Sequence, residues 1–215
     1  MTRIGACLML VAALLGSGCK QYDLTLQPGP RVFTPDSYPL VWEAWTRGEE
    51  SFSWKDLAHE LHVTATFESW EFRWAYVVRY ARDYSLLPTA RDEMLQASLA
   101  SSRQEHRFFV SLVGFDFRES NLVSKQSAWR VLLVDPSGNQ TVPVVMERVR
   151  RPSAVDRVYF PQVDPLRETF RVTFPAVDSD GRATIPEGAS FVILRFTGAR
   201  GRVDLRWDLQ PQQGG

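Results

Sequence analysis

The chain has 215 residues, with 25 basic and 25 acidic side chains and therefore no formal net charge. A balanced chain gives no global electrostatic argument for binding to nucleic acid or to an anionic membrane surface. Because 44% of the residues are hydrophobic and 23% are charged, the composition is that of a globular protein and excludes a disordered chain.

The first nineteen residues have the organisation of an export signal. Arg3 supplies a positive charge, residues 4–15 form an apolar run, and the small residues 16–18 precede Cys19. A transmembrane helix needs ~20 apolar residues, so this run has the length of a signal-peptide core instead. The pattern resembles the bacterial lipoprotein signal peptide, with Gly16 where that family prefers Leu. An ordinary secretory signal or a buried apolar helix is the alternative.

The lipoprotein resemblance implies a specific processing scheme. The signal peptide, residues 1–18, would be removed, Cys19 would carry a diacylglycerol thioether, and its amine would also be acylated, typically with palmitate. Lys20 would then direct the protein to the outer membrane of the cell envelope, since Asp at this position is the retention signal of enteric lipoproteins. Cys7 leaves with the signal, so the mature domain contains no free thiol or disulfide and folds on its hydrophobic core alone.

The predicted domain organisation follows from the proline content. Five Pro or Gly residues within residues 19–39 disfavour both helix and strand, which predicts a lipid-anchored tether. Residues 40–210 are predicted to form one domain and residues 211–215 a disordered tail.

The first part of this domain mixes helices and one strand. A short helix is predicted from Pro39 to a stop at Gly48, and a second helix start near Ser53. Residues 61–67 alternate apolar and polar side chains with a period of two, which predicts a half-buried strand. Residues 70–105 change to a helical period after Ser69, a suitable N-cap, and are predicted to form an inserted helical pair.

From residue 106 onward the pattern predicts strands joined by turns. The turns are predicted at residues 135–138 and 178–181, and residues 197–201 join the last two strands as a hairpin. We predict a mainly β fold, an antiparallel immunoglobulin-like β-sandwich of about eight strands with the helical pair inserted at residues 70–105. The predicted strands after the pair are 108–117, 129–134, 142–149, 170–174, 191–196 and 203–209.

Few residues carry a recognisable chemical motif. His59 and His62 are three residues apart with Glu60 between them, whereas a zinc-protease helix needs a spacing of four, so no metal or cofactor is predicted. Residues 178–181 resemble the opening of a calcium loop, but Glu187 is misplaced as a ligand and a hairpin turn is favoured. Any Ser-His-Asp triad would have to use His59, His62 or His106.

Two groups of residues are candidates for partner binding. Arg148, Arg150, Arg151 and Arg157 form a local basic cluster, which is either a solvated loop or a docking patch for lipid headgroups, a glycan or a protein. Several tryptophans are expected mostly in the core, with one or two possible sugar-stacking positions among them. These are Trp42, Trp45, Trp54, Trp70 and Trp74.

The sequence as a whole predicts a lipid-anchored cell-envelope lipoprotein with a non-enzymatic binding or scaffolding domain. Its predicted partners are the membrane, through Cys19, and an envelope protein or glycan, but no nucleic acid. The alternative is an envelope glycan or peptide hydrolase, with acidic residues and a histidine brought together by folding. That alternative requires a concave pocket lined by at least two titratable groups with perturbed pKa values.

Overall fold

The computed structural model describes residues 22–53, 58–115 and 120–210, and the strands in this part of the chain form two antiparallel sheets. The first sheet has the strand order β1-β2-β3-β7-β6 and the second β5-β4-β8-β9. The predicted mainly β class is therefore confirmed. The strands are β1 Thr46–Ser53, β2 Ala58–Phe67, β3 Glu105–Gly114, β4 Trp129–Val134, β5 Gln140–Thr141, β6 Val145–Arg148, β7 Glu168–Pro175, β8 Phe191–Gly198 and β9 Gly201–Asp208.

Helices are inserted between the strands. They are α1 Tyr38–Ala44, which follows a short 3-10 helix at Pro35–Ser37, α2 Trp70–Asp83, α3 Pro88–Gln104 and α4 Ala154–Tyr159. The Ser69 hydroxyl accepts a hydrogen bond from the Phe72 amide at 3.2 Å and so caps α2, as its sequence predicts. The helical pair predicted at residues 70–105 is confirmed by α2 and α3. No helix in the described part of the chain is long and apolar enough to span a bilayer.

The two sheets pack face to face around an aromatic core. The rings of Trp45, Phe67, Phe108 and Trp207 contact one another, with the Phe67 and Phe108 centroids 4.5 Å apart and those of Phe108 and Trp207 5.5 Å apart. The Trp207 indole N–H donates to the Trp45 carbonyl oxygen at 2.9 Å. The alternate apolar residues of the last predicted strand, Val203, Leu205, Trp207 and Leu209, are all buried.

One helix prediction and one strand prediction are corrected by the structure. Gly48, predicted to end a helix, lies within β1, which pairs with β2 at the edge of the first sheet. The strand predicted at residues 142–149 is divided, because β5 pairs with β4 in the second sheet whereas β6 pairs with β7 in the first. Pro143 lies at the crossover, where the lack of an amide hydrogen disfavours a continuous ladder.

The helix α4 is also absent from the sequence prediction. Its start is a reciprocal capping box, in which the Ser153 hydroxyl accepts from the Asp156 amide and the Asp156 carboxylate accepts from the Ser153 amide. Six residues are too few to show a helical period, so the capping pair was the only available signal.

The predicted tether is corrected from Tyr22 onward. Residues 22–33, which we call the strap, form no helix or strand but pack on the folded body, with Leu24 only 4% exposed. The Gln210 amide donates to the Leu24 carbonyl at 2.8 Å, and the Phe33 ring lies 5.9 Å from that of Trp74. Prolines exclude regular structure here, but they do not prevent apolar side chains from being buried. The predicted signal peptide, the rest of the tether and the predicted tail at residues 211–215 lie outside the described residues.

Candidate functional site

A cavity of about 750 Å³, which we call the end pocket, opens at one end of the two-sheet body. Its walls come from the strap, the junction of β2 and α2, the junction of α3 and β3, the loop between β7 and β8, and the end of β9. This volume is in the range of small-molecule sites, which are typically ~300–1,000 Å³. The end pocket is therefore the concave feature that we take as the candidate site.

The strap forms one complete wall of the end pocket. Thr25, Leu26, Gln27 and Pro28 line it in succession. The Trp70 indole N–H donates to the Thr25 carbonyl at 2.9 Å, and the Gln27 amide donates to the Glu187 carboxylate at 3.1 Å across the opening. The strap is thus joined both to α2 and to the loop that forms the opposite wall.

The interior of the end pocket is mainly apolar. Phe67, Trp70, Trp74 and Leu99 contribute from the helical side, and Ile185 from the opposite loop. Trp70 and Ile185 are buried in the core, whereas Trp74 and Leu99 are only partly buried and pack against it. An apolar group of a ligand would therefore gain hydrophobic contact by entering the pocket.

A network of charged side chains lies at the base of the two helices. The Arg73 guanidinium, only 4% exposed, donates to the Glu68 carbonyl at 2.8 Å and to the Ser101 hydroxyl at 3.0 Å, which joins α2 to α3. The Arg107 guanidinium lies 3.7 Å from the Glu68 carboxylate and also pairs with Glu105. Glu68 and Glu105 both line the end pocket.

The two carboxylates of this network titrate differently. Burial raises the pKa of Glu68, and the guanidinium groups of Arg73 and Arg107 only partly oppose that shift. Burial acts in the same sense on Glu105, but hydrogen bonds from Ser101 and Arg107 hold the pKa of Glu105 below its ordinary value. Two neighbouring acidic groups on the pocket wall therefore have pKa values displaced in opposite directions.

His106 is the histidine of the end pocket. Burial, together with the nearby Arg73 charge, lowers the pKa of His106 to about 4, so the imidazole is neutral at pH 7. Its Nε2 atom is inaccessible to solvent and has no hydrogen-bond partner among the described residues. The ring meets Phe67 edge to face, with the centroids 6.0 Å apart. Among the residues that line the end pocket, His106 thus has a buried polar atom without a described partner.

A buried carboxylate fixes the strap to α2. Glu71, whose side chain is fully buried, accepts from the Trp45 indole at 2.9 Å and lies 2.5 Å from the Arg31 guanidinium of the strap. Burial raises the pKa of Glu71 to about 7, although Arg31 and the Trp45 hydrogen bond favour its ionised form. The strap contact therefore includes a group that titrates near neutral pH.

The histidines singled out by the sequence do not all come together. His62 pairs in register with Val113, seven residues along β3 from His106, which places the two histidines roughly 20 Å apart along the sheet. His62 contacts the Arg167 guanidinium at 3.3 Å. The side chain of His59 is outside the described part of the structure. Among the described residues, no three His, Cys, Asp or Glu side chains converge on a possible metal site.

The calcium-like segment is a turn, as the sequence favours. The Gly181 amide donates to the Asp178 carbonyl at 3.1 Å, and the Asp178 carboxylate accepts from the Asp180 and Arg182 amides at 2.9 Å each. The oxygen that would bind a cation instead satisfies the backbone of its own turn.

The predicted arginine cluster is not uniform. Arg148 pairs with the Glu168 carboxylate on β7 through two hydrogen bonds. Arg150 and Arg151 are exposed between β6 and α4, and Arg157 is exposed on α4; none of the three pairs with a described carboxylate. These three arginines remain a predicted docking patch, and Arg148 is a positioned side chain at the sheet edge.

The tryptophans lie mostly in the core. Trp45 and Trp70 are buried, Trp42 and Trp74 are partly buried against the core, and Trp54 lies outside the described residues. The sequence predicts Trp70 and Trp74 to be either core or sugar-stacking residues. It does not predict the pocket beside them, because the strap that completes this pocket falls within the predicted tether. Its apolar residues, Leu24, Leu26 and Phe33, were the signal that could have identified it.

Comparison of the chain with protein-family models, with curated proteins and with solved structures gives no match in any of the three.

Proposed function

We propose that the chain is a lipid-anchored lipoprotein of the bacterial cell envelope, held in the outer membrane through Cys19, whose folded body binds an envelope component without catalysis. The signal-like residues before Cys19 support the anchor. The end pocket supports the binding role, because it combines a ligand-sized volume with a mainly apolar interior. The observation that carries the proposal is the position of the strap.

The strap brings the end pocket close to the proposed anchor. Only Lys20 and Gln21 separate Cys19 from Tyr22, and Thr25 on the pocket wall is six residues from Cys19. An extended chain spans at most ~3.6 Å per residue, so this part of the wall lies within about 22 Å of the acylated cysteine. A ligand that reaches the pocket would thus come from the membrane surface or its immediate surroundings.

We also infer that the two sheets belong to the immunoglobulin-like class of β-sandwiches. The inference is supported by the antiparallel pairing throughout both sheets and by the crossings between them, from β3 to β4, from β5 to β6 and from β7 to β8.

The anchor is tested by replacing Cys19. We expect Cys19→Ser to move the protein from the membrane fraction to the soluble fraction and to abolish incorporation of labelled palmitate, since two or three acyl chains are needed for stable attachment. Cys7→Ser is the matched control, because Cys7 would be discarded with the signal peptide. A Cys19→Ser protein that sediments with membranes as fully as the wild type would contradict the proposal.

A second candidate function is an envelope hydrolase. It is favoured by one observation, the presence of Glu68, Glu105 and His106 on one pocket wall with displaced pKa values. Against it, a histidine with a pKa of about 4 is a weak base at pH 7, and its Nε2 atom has no described hydroxyl or thiol partner to activate.

The two functions differ in the outcome of one assay. If the protein is a binding protein, we expect the wild type to cleave peptidoglycan fragments and peptides no faster than its His106→Phe variant does. A hydrolase using His106 as a general base would lose about 100-fold or more in rate with that substitution. His62→Phe is the control, since His62 lies far from the pocket and would leave any such activity unchanged.

A further inference from the structure

We propose that the end pocket binds one acyl chain of a phospholipid from the bilayer in which the protein is anchored. This inference rests on the proposed function, because it needs Cys19 to hold the pocket at the membrane. It goes further by naming the ligand class and the way in which the ligand is oriented.

The interior of the end pocket suits a hydrocarbon chain better than a sugar or a peptide. A sugar or peptide carries several polar groups, each of which costs free energy if it is buried without a hydrogen bond. The wall instead offers side chains such as Trp70, Trp74, Leu99 and Ile185. Glu68 and Glu105, two of the carboxylates that line the pocket, have the Arg107 guanidinium beside them.

The rim of the end pocket carries charges of both signs. Arg103 at the end of α3 is exposed and pairs with no described carboxylate, and Glu187 on the opposite loop is exposed with only the uncharged Gln27 amide beside it. Phosphatidylethanolamine has a phosphate and an ammonium group, which complement a guanidinium and a carboxylate. The rim therefore favours a zwitterionic headgroup over a purely anionic one.

The proposed anchor points to the source of the ligand. Cys19 is six residues before Thr25, which lines the pocket wall. A bilayer lipid next to the anchor is thus presented at high local concentration, as in any tethered encounter.

The test uses the full chain, processed in cells, purified and reconstituted into liposomes of phosphatidylethanolamine and phosphatidylglycerol. A rising share of the phosphatidylethanolamine carries bromine on its acyl chain, and bromine quenches tryptophan fluorescence at close range. Because Trp70 and Trp74 line the pocket, we expect quenching to rise with the brominated share. Ala189→Phe, which fills the pocket without adding charge, should suppress this quenching.

A charge placed in the pocket gives a second, independent variant. Leu99→Arg puts a guanidinium against the apolar wall and should weaken lipid occupancy about tenfold or more. The matched controls lie on the same helix α3: exposed Met94→Arg for charge and exposed Ala97→Phe for size. Both controls should quench like the wild type.

Flotation of the liposomes separates the two proposals. If the wild type does not float with them, the anchor and the acyl-chain site both fail. If it floats but quenches no more than Ala189→Phe, the acyl-chain site is wrong and the anchored binding function stands. A third outcome is that Cys19→Ser shows quenching and the wild type does not. In that case the lipidated protein fills the pocket with its own acyl chain, and the bilayer-lipid site is also wrong.

Discussion

Trp207→Ala is expected to destabilise the protein by about 4 kcal/mol, in the range measured for replacing buried Trp or Phe with Ala. Trp207 is fully buried between the two sheets, where it contacts Phe67 and Phe108. The substitution opens a cavity in the core and leaves the Trp45 carbonyl without its indole donor. Since domains are stable by only ~5–15 kcal/mol, this loss is a large share of the total.

The measurement is the midpoint of urea unfolding for purified wild type and variants. Asp208→Ala is the control, because Asp208 is the neighbouring exposed residue on β9 and pairs only at the surface with Arg206. Its effect should stay within about 0.5 kcal/mol. A Trp207→Ala protein that unfolds within 1 kcal/mol of the wild type would show that the sheets do not pack around this ring.

Glu71→Gln is expected to make the protein more stable above pH 7 and to remove a pH dependence of about 2 to 3 kcal/mol between pH 5 and pH 8. The pKa of Glu71 is raised to about 7 in the folded protein by burial. Glutamine keeps an oxygen acceptor for the Trp45 indole but carries no charge. Arg31, whose side chain is 31% exposed, stays hydrated when it loses its partner.

The sign of this effect follows from the raised pKa. The stability contributed by Glu71 is fully present below its unfolded pKa and is lost as the pH rises through about 7, where the buried carboxyl ionises. His106 acts in the opposite sense, because its lowered pKa costs stability as the pH falls below 6.5. The difference between wild type and Glu71→Gln at each pH isolates the Glu71 contribution.

Thermal unfolding of the two proteins from pH 5 to pH 8 is the measurement. Glu43→Gln, a substitution of an exposed carboxylate on α1, should follow the wild-type profile because the Glu43 charge is solvated. If the stability of the wild type and that of Glu71→Gln change with pH in the same way, the pKa of Glu71 is not raised by burial. The strap is then held by contacts other than the one between Arg31 and Glu71.

The parts of the fold that were predictable from sequence have a strong local period. The alternation from Val203 to Leu209 identified β9, and Ser69 with the helical period after it identified α2, because both patterns reflect burial of one face of one element. β1 has mostly polar residues at a sheet edge, so its pairing with β2 leaves no comparable pattern. β5 and β6 are separate strands because they pair with strands of different sheets. Those partners are distant in the sequence, so no local pattern predicts the division.

The candidate site was predictable only in fragments. His106 was singled out as a histidine, but its apolar surroundings come from the strap, two helices and a distant loop that meet only in the folded protein. Glu71 gives no sequence signal at all, since its raised pKa arises from burial in the folded protein, against the opposing charge of Arg31, forty residues earlier in the chain. The sequence does not predict the strap, because its prolines are equally typical of a free linker.

The burial of Leu24 fixes the chain to the folded body five residues after Cys19. If that cysteine is acylated as we propose, the three-residue span from Cys19 to Tyr22 is a leash of about 10 Å. The anchored protein would diffuse laterally with its lipids and would keep the same end near the membrane. Its encounters would be confined to a thin layer above a single leaflet, out of reach of anything held at the opposite side of the envelope.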